Sequence, residues 1–135
     1  TQAGVYKYEE GSRKPIPDPE VEQLIEQFRK EQGITPREIT DQEILERCVY
    51  VMINEGAKIL EEGIADRHLD IDIVWIYGYG FPAYRGGPMF WADQIGLDNI
   101  LGTVEQFYDD LGGDQWKPAG LLQELVSEGR KFSDL

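Results

Sequence analysis

Cysteine, histidine and positive charge are all scarce in this 135-residue chain, and each scarcity removes a class of function. One cysteine, Cys48, cannot form an internal disulfide framework and cannot build a cysteine-based zinc site alone. One histidine, His68, leaves a single imidazole for acid–base work. Lys and Arg number 13 against 26 Asp and Glu, a net charge of −13, and no basic cluster offers a local exception. That excess repels phosphate backbones and anionic lipid head groups, which points away from nucleic-acid and membrane partners. The longest uncharged apolar run, Ile73–Tyr77, falls far short of the roughly 20 residues a membrane helix needs. The opening Thr1–Tyr8 lacks the charged, apolar, small-residue order of a signal peptide. Strict apolar/polar alternation is also missing outside Ile71–Tyr77, so little of the chain reads as sheet.

What is present suits one folded domain: 41% of residues are hydrophobic and 11% aromatic. Thr1–Pro17 is rich in Gly, Pro, Tyr and charge without either period. It reads as a connection from an upstream domain, with the chain a fragment of a longer polypeptide. Asp18-Pro19-Glu20 then supplies an N-cap, a proline at the first helical position and an acid in the first turn. The stripe Val21, Leu24, Ile25, Phe28 predicts a helix over Pro19–Gln32, stopped by Gly33. Thr40-Asp41-Gln42-Glu43 is a capping box. The apolar positions Ile44, Leu45, Cys48, Val49, Met52, Ile53, Ile59 and Leu60 predict a central, largely buried helix ending at Gly63. Asp70 and Asp72 can cap and charge a helix beyond them, while Pro88, Asp98 or Asn99, and Pro118 can open three more. The expected fold is therefore all-α, with about six helices.

Several motifs carry possible chemistry. Gly78-Tyr79-Gly80-Phe81-Pro82-Ala83, after a possible strand at Ile73–Tyr77, has the outline of a dinucleotide-binding turn. A phosphate-binding turn opens directly into a helix, whereas Tyr84-Arg85-Gly86-Gly87-Pro88 breaks again, so the segment reads as a structured loop. Its eleven residues Gly78–Pro88 hold four glycines, two prolines and three aromatics. Asp66, His68, Asp70 and Asp72 alternate, and on an extended segment they would present four ligands to one side. The offsets are not those of a calcium loop, and helix capping by the aspartates is the simpler reading. His68 with Asp66 or Asp70 is the one candidate acid–base pair. Cys48, on an apolar helix position, reads as a buried inert thiol. Arg47, Asn54, Glu55, Lys58, Glu61 and Glu62 form either a buried network, with Arg47 facing Glu55, or a solvated face; both stay open.

Taken together, these residues resemble a known family. Asn54-Glu55-Gly56-Ala57, Leu60–Ala65, Asp70-Ile71-Asp72, Gly78–Pro82 and Arg85–Asp93 closely resemble the C-terminal helical domain of 3-hydroxyacyl-CoA dehydrogenases. The resemblance is nearest to the last repeat of the multifunctional fatty-acid β-oxidation proteins, and Gly4–Val21 is similar to the linker between their helical repeats. It implies a helical fold like the 6-phosphogluconate dehydrogenase C-terminal domain over residues 18–135, with 1–17 as linker. It further implies an upstream Rossmann domain that binds NAD, a fused enoyl-CoA hydratase, and an acyl-CoA substrate in the parent. In the family's active repeat an asparagine precedes a helix arginine. Matching that arginine to Arg47 puts Glu46 in the asparagine's place, where a carboxylate has the wrong charge to stabilise an oxyanion. The expectation is a scaffold repeat with no catalytic, cofactor-binding or metal residues of its own, packed on the upstream Rossmann domain and first helical repeat. A free-standing acidic interaction module is the alternative. The end Ser133-Asp134-Leu135 differs from a peroxisomal address and favours bacterial cytoplasm or mitochondrial matrix.

Overall fold

The computed structural model describes residues 4–135, which divide into one unit ending at Ile39 and another running from Thr40 to Leu135. In the first, β1 (Tyr6–Lys7) pairs antiparallel with β2 (Ile16–Pro17) inside the stretch expected as a connection. Helix α1 (Pro19–Glu31) follows within a residue of the predicted span. The Asp18 carboxylate accepts the Glu20 N–H at 3.0 Å and meets Lys7 Nζ at 2.9 Å. The Lys7 hydrogen bond holds the Asp18 carboxyl below its ordinary range. No residue of α1 is buried.

The second unit holds α2 (Asp41–Glu61), α3 (His68–Gly78), α4 (Pro88–Ile95), α5 (Leu97–Leu111) and α6 (Gly120–Glu128). Short 3-10 turns lie at Ala83–Arg85 and Phe132–Asp134. With six α-helices and one two-residue strand pair among the described residues, the all-α expectation is met. Thr40 Oγ1 accepts the Glu43 N–H at 3.2 Å, as the capping box requires of its hydroxyl. Gly129, at φ +65°, ends α6 in the left-handed conformation. Helix α5 starts one residue before the expected Asp98 or Asn99 cap, on Gly96.

Helix α2 is the central element, packing against α4, α5 and α6, while α3 packs mainly on α4. Ile53, Ala57, Met89, Ala92, Ile100, Val104, Leu122, Leu125 and Phe132 are wholly enclosed. Each large apolar side chain among them contributes about 2 kcal/mol by leaving water. A Cβ on Gly56 would sit 2.5 Å from the Met89 sulfur, so the absence of a side chain permits the close approach of α2 and α4.

Two expectations are corrected here. Ile71–Tyr77 is not a strand but most of α3. With no neighbouring strand to pair with, its backbone groups are satisfied inside a helix. Cys48 is exposed rather than buried. The core face of α2 is set by Tyr50, Ile53, Asn54 and Ala57. Cys48, two residues before Tyr50, is turned about 200° away. The expected single apolar face of α2 is thus split between core and outer surface, with Ile44 half exposed.

The polar part of the α2 pattern is divided: Asn54 is buried in a network, while Glu55, Glu61 and Glu62 are exposed. Asn54, fully buried, donates Nδ2 to the carbonyls of Gln115 (3.0 Å) and Lys117 (2.9 Å) and accepts the Ala119 N–H at 2.9 Å. Lys58 donates to the Asp114 carbonyl at 2.9 Å, and Glu61 accepts the Leu121 N–H at 3.3 Å. One helix face therefore fixes the α5–α6 connection and the start of α6. Asn54→Ala should cost about 3 kcal/mol in urea unfolding, because it strands buried backbone groups. Lys58→Ala, at a solvated contact, should cost less than about 1 kcal/mol. Equal losses would contradict this assignment.

Candidate functional site

The alternating acids and histidine part company once the segment is helical. His68 and Asp70 lie in the first turn of α3, and residues two apart on a helix face different directions. Asp70 pairs with Arg67 at 2.6 Å, whose hydrogen bond holds its carboxyl below the ordinary range. Asp66 is exposed, and His68 makes no hydrogen bond to either acid among the described residues. Within the same residues no three His, Cys, Asp or Glu side chains converge on a possible metal position. The extended four-ligand arrangement and the His68 acid–base pair are therefore not formed.

Asp72 caps a helix that follows it, as expected, although it stands inside α3. It caps α4 instead of its own helix, accepting the N–H groups of Met89 at 2.7 Å and Phe90 at 3.1 Å. The preceding Gly87 has φ +101°, and a Cβ there would lie 2.3 Å from an Asp72 carboxylate oxygen. The glycine-rich segment thus works as a helix stop and a fitted turn: Gly80 turns left-handed at φ +76°, and the Phe81 N–H returns to the Trp75 carbonyl at 2.9 Å. A pyrophosphate needs free amides at a helix N-terminus. The first two amides of α4 already hold a carboxylate, which also repels an anion. The start of α4 therefore lacks the two free amides that a phosphate-binding turn presents.

Arg47 does not meet Glu55. Its guanidinium contacts Glu43 at 2.8 Å and lies 5.3 Å from the Phe107 ring centre, while Glu55 faces Lys58 at 3.7 Å. Glu46, held by the Gln42 amide at 2.8 Å, lines an open cleft of about 560 Å³ between the first half of α2, α4 and α5. Tyr50, Arg85, Trp91, Asn99 and Thr103 share its walls. Burial, and to a lesser extent Glu46, pushes the Tyr50 phenol above its ordinary range. The Tyr50 and Trp91 rings are 6.3 Å apart and tilted.

Comparison with known proteins bears on this domain directly. The family model for the 3-hydroxyacyl-CoA dehydrogenase C-terminal domain matches residues 44–133. The chain belongs to that family. This C-terminal 3-hydroxyacyl-CoA dehydrogenase domain is 44% identical over 131 residues to a peroxisomal bifunctional enzyme of Danio rerio, covering 96% of this chain and 18% of that protein. It is 40% identical to the human peroxisomal bifunctional enzyme, covering the same shares. A glyoxysomal fatty acid β-oxidation multifunctional protein of Brassica napus is 38% identical, with 98% of this chain and 19% of that protein covered. The domain therefore spans under a fifth of the length of these relatives. The crystal structure of (S)-3-hydroxybutyryl-CoA dehydrogenase from Ralstonia eutropha superposes with a TM-score of 0.59 at 30% identity. The match covers 84% of this chain and 39% of that one.

Asn54 belonged to a possible buried network and Asp72 to a possible cap in the sequence, but their distant partners, and the anchoring role of Asp93, did not show there. The available signal was a lone polar residue within an apolar run, as in Ile71-Asp72-Ile73 and Ile53-Asn54. Burial pushes the Asp72 carboxyl above its ordinary 3.8, and the two N–H bonds pull it only part of the way back. The folded protein then keeps this proton to higher pH than the unfolded chain. Its stabilising contribution is full below the unfolded pKa and is lost as pH rises through the folded value. Wild type should therefore lose stability relative to Asp72→Asn as pH rises from about 4 to 7. Urea unfolding of both proteins across that range would show a pH-independent difference if this is incorrect.

Proposed function

We propose that this chain is the non-catalytic C-terminal scaffold repeat of an NAD-dependent L-3-hydroxyacyl-CoA dehydrogenase. In the parent, L-3-hydroxyacyl-CoA is oxidised to 3-oxoacyl-CoA during fatty-acid β-oxidation, and an enoyl-CoA hydratase domain lies in the same polypeptide. One observation carries this reading. The three buried polar side chains of residues 40–135, Asn54, Asp72 and Asp93, are all bonded to backbone groups. That leaves no buried acid–base pair to act on a substrate. Glu46, where the resemblance calls for an asparagine, would oppose a developing oxyanion. NAD is then held by an upstream Rossmann domain, and residues 1–17 are the connection to the preceding repeat.

The surface of α3 supports a scaffolding role. Beyond its acidic first turn the outer side of this helix is apolar, and Leu69, Ile73, Val74 and Tyr77 are 45%, 53%, 55% and 86% exposed. Such a contiguous patch marks an interaction surface. We assign it to the first helical repeat of the same chain, since the bifunctional and multifunctional relatives named above are more than five times as long. For location we retain the cytoplasm or mitochondrial matrix, against relatives named for the peroxisome and glyoxysome.

The isolated chain, whose residues 40–135 contain their own core, should show no NADH formation from an L-3-hydroxyacyl-CoA and no heat of NAD binding. Turnover by the isolated chain would overturn the scaffold reading. In the full-length parent, Ile73→Lys should lower the melting temperature and the dehydrogenase rate. The same change should alter the isolated chain by no more than about 0.5 kcal/mol. An unaffected parent would argue for the free-standing module instead.

A further inference from the structure

The open cleft between α2, α4 and α5 has at its rim an exposed arginine, Arg85, that pairs with no carboxylate of the chain. Residues 40–135 include four arginines. Arg47, Arg67 and Arg130 hold carboxylates at 2.8, 2.6 and 3.0 Å. The Arg85 side chain makes neither an ion pair nor a hydrogen bond among the described residues, its backbone N–H going to the Pro82 carbonyl at 2.9 Å. Its guanidinium lies instead 5.5 Å from the Tyr84 ring centre and 5.6 Å from that of Trp91. Ring contacts engage the face of a guanidinium and leave its five N–H donors unspent.

Other polar groups in the cleft are already engaged. Asn99 Nδ2 donates to the Ile95 carbonyl at 3.0 Å, Thr103 Oγ1 to the Asn99 carbonyl at 3.0 Å, and Gln42 Nε2 to Glu46 at 2.8 Å. Arg85 is therefore the cationic donor of a cleft whose apolar wall comes from Leu45, Trp91 and Ile95, with the edge of the largely buried Tyr50. A planar fork over aromatic rings matches a carboxylate in two-point fashion. Phosphate is disfavoured, because Glu46 on the same cleft and the net charge of −13 repel a dianion more strongly than a monoanion.

We propose that this cleft binds a monocarboxylate on a flat apolar body, with the carboxylate on Arg85 and the body against Trp91 and Tyr50. That ligand chemistry is offered both by a small aryl carboxylate and by a polypeptide ending in an aromatic residue. The test is a titration of the isotope-labelled chain with phenylacetate and, separately, with a tetrapeptide ending in Phe with a free carboxylate. Shifts of the Trp91 indole and Arg85 Nε–H resonances are followed, with Trp91→Phe used for assignment. Saturable binding is expected in the millimolar range. Phenylacetamide and the C-terminally amidated peptide should bind about tenfold more weakly. Arg85→Gln should weaken the acid by a similar factor, Arg85→Lys by less, and Glu46→Gln should tighten it. Binding of phenylacetate alone, or of the peptide alone, identifies the source and upholds the site. Equal binding of acid and amide, indifference to Arg85→Gln, or no saturable shift with either probe overturns it.

Discussion

The helical unit depends on three buried polar side chains that bond to backbone far away in sequence. Asn54 on α2 holds residues 115–119, Asp72 on α3 holds the start of α4, and Asp93 on α4 holds the amides of Phe132 and Ser133 at 2.8 and 3.0 Å. Apolar packing is non-directional and would tolerate several placements of these connections. A buried amide or carboxylate is costly unless its partners are placed to meet it, which selects one placement. No buried side-chain polar atom among the described residues lacks a partner. Neighbouring residues conform to these anchors: Gly87 must lack a Cβ because Asp72 fills that space.

The same bonds explain why the domain reads as a framework. Polar groups that another fold would aim at a substrate are here committed to chain connections. The amides that could cradle phosphate at the start of α4 carry Asp72 instead. What the domain leaves available is surface: the apolar outer side of α3, and a cleft whose character comes from Arg85 over aromatic rings. These surfaces differ in chemistry, one apolar and extended, the other cationic and local.

Membership of the 3-hydroxyacyl-CoA dehydrogenase C-terminal domain family accounts for the helix order and for the family match over residues 44–133. It does not by itself make the chain catalytic. Glu46 illustrates the separation of fold from function. A single carboxylate at a helix position costs the fold little, as the Gln42 amide and solvent satisfy it, whereas any chemistry at that place would feel its charge.

The sequence by itself determined the local features. The starts of α1 and α2 followed from Asp18-Pro19 and Thr40-x-x-Glu43, and the stop of α6 from Gly129, because caps and left-handed turns are decided within a few residues. The family was legible for the same reason, since its motifs are short and dense in Gly, Pro and aromatics. Tertiary structure alone decided the rest. Whether Ile71–Tyr77 became strand or helix depended on whether a neighbouring strand existed. Which side of α2 faced inward, and so whether Cys48 was buried, depended on where α4, α5 and α6 packed. The partners of Asn54, Asp72 and Asp93 lie from 17 to 65 residues away along the chain. No local pattern encodes contacts at that range, because they form only when packing has brought the segments together.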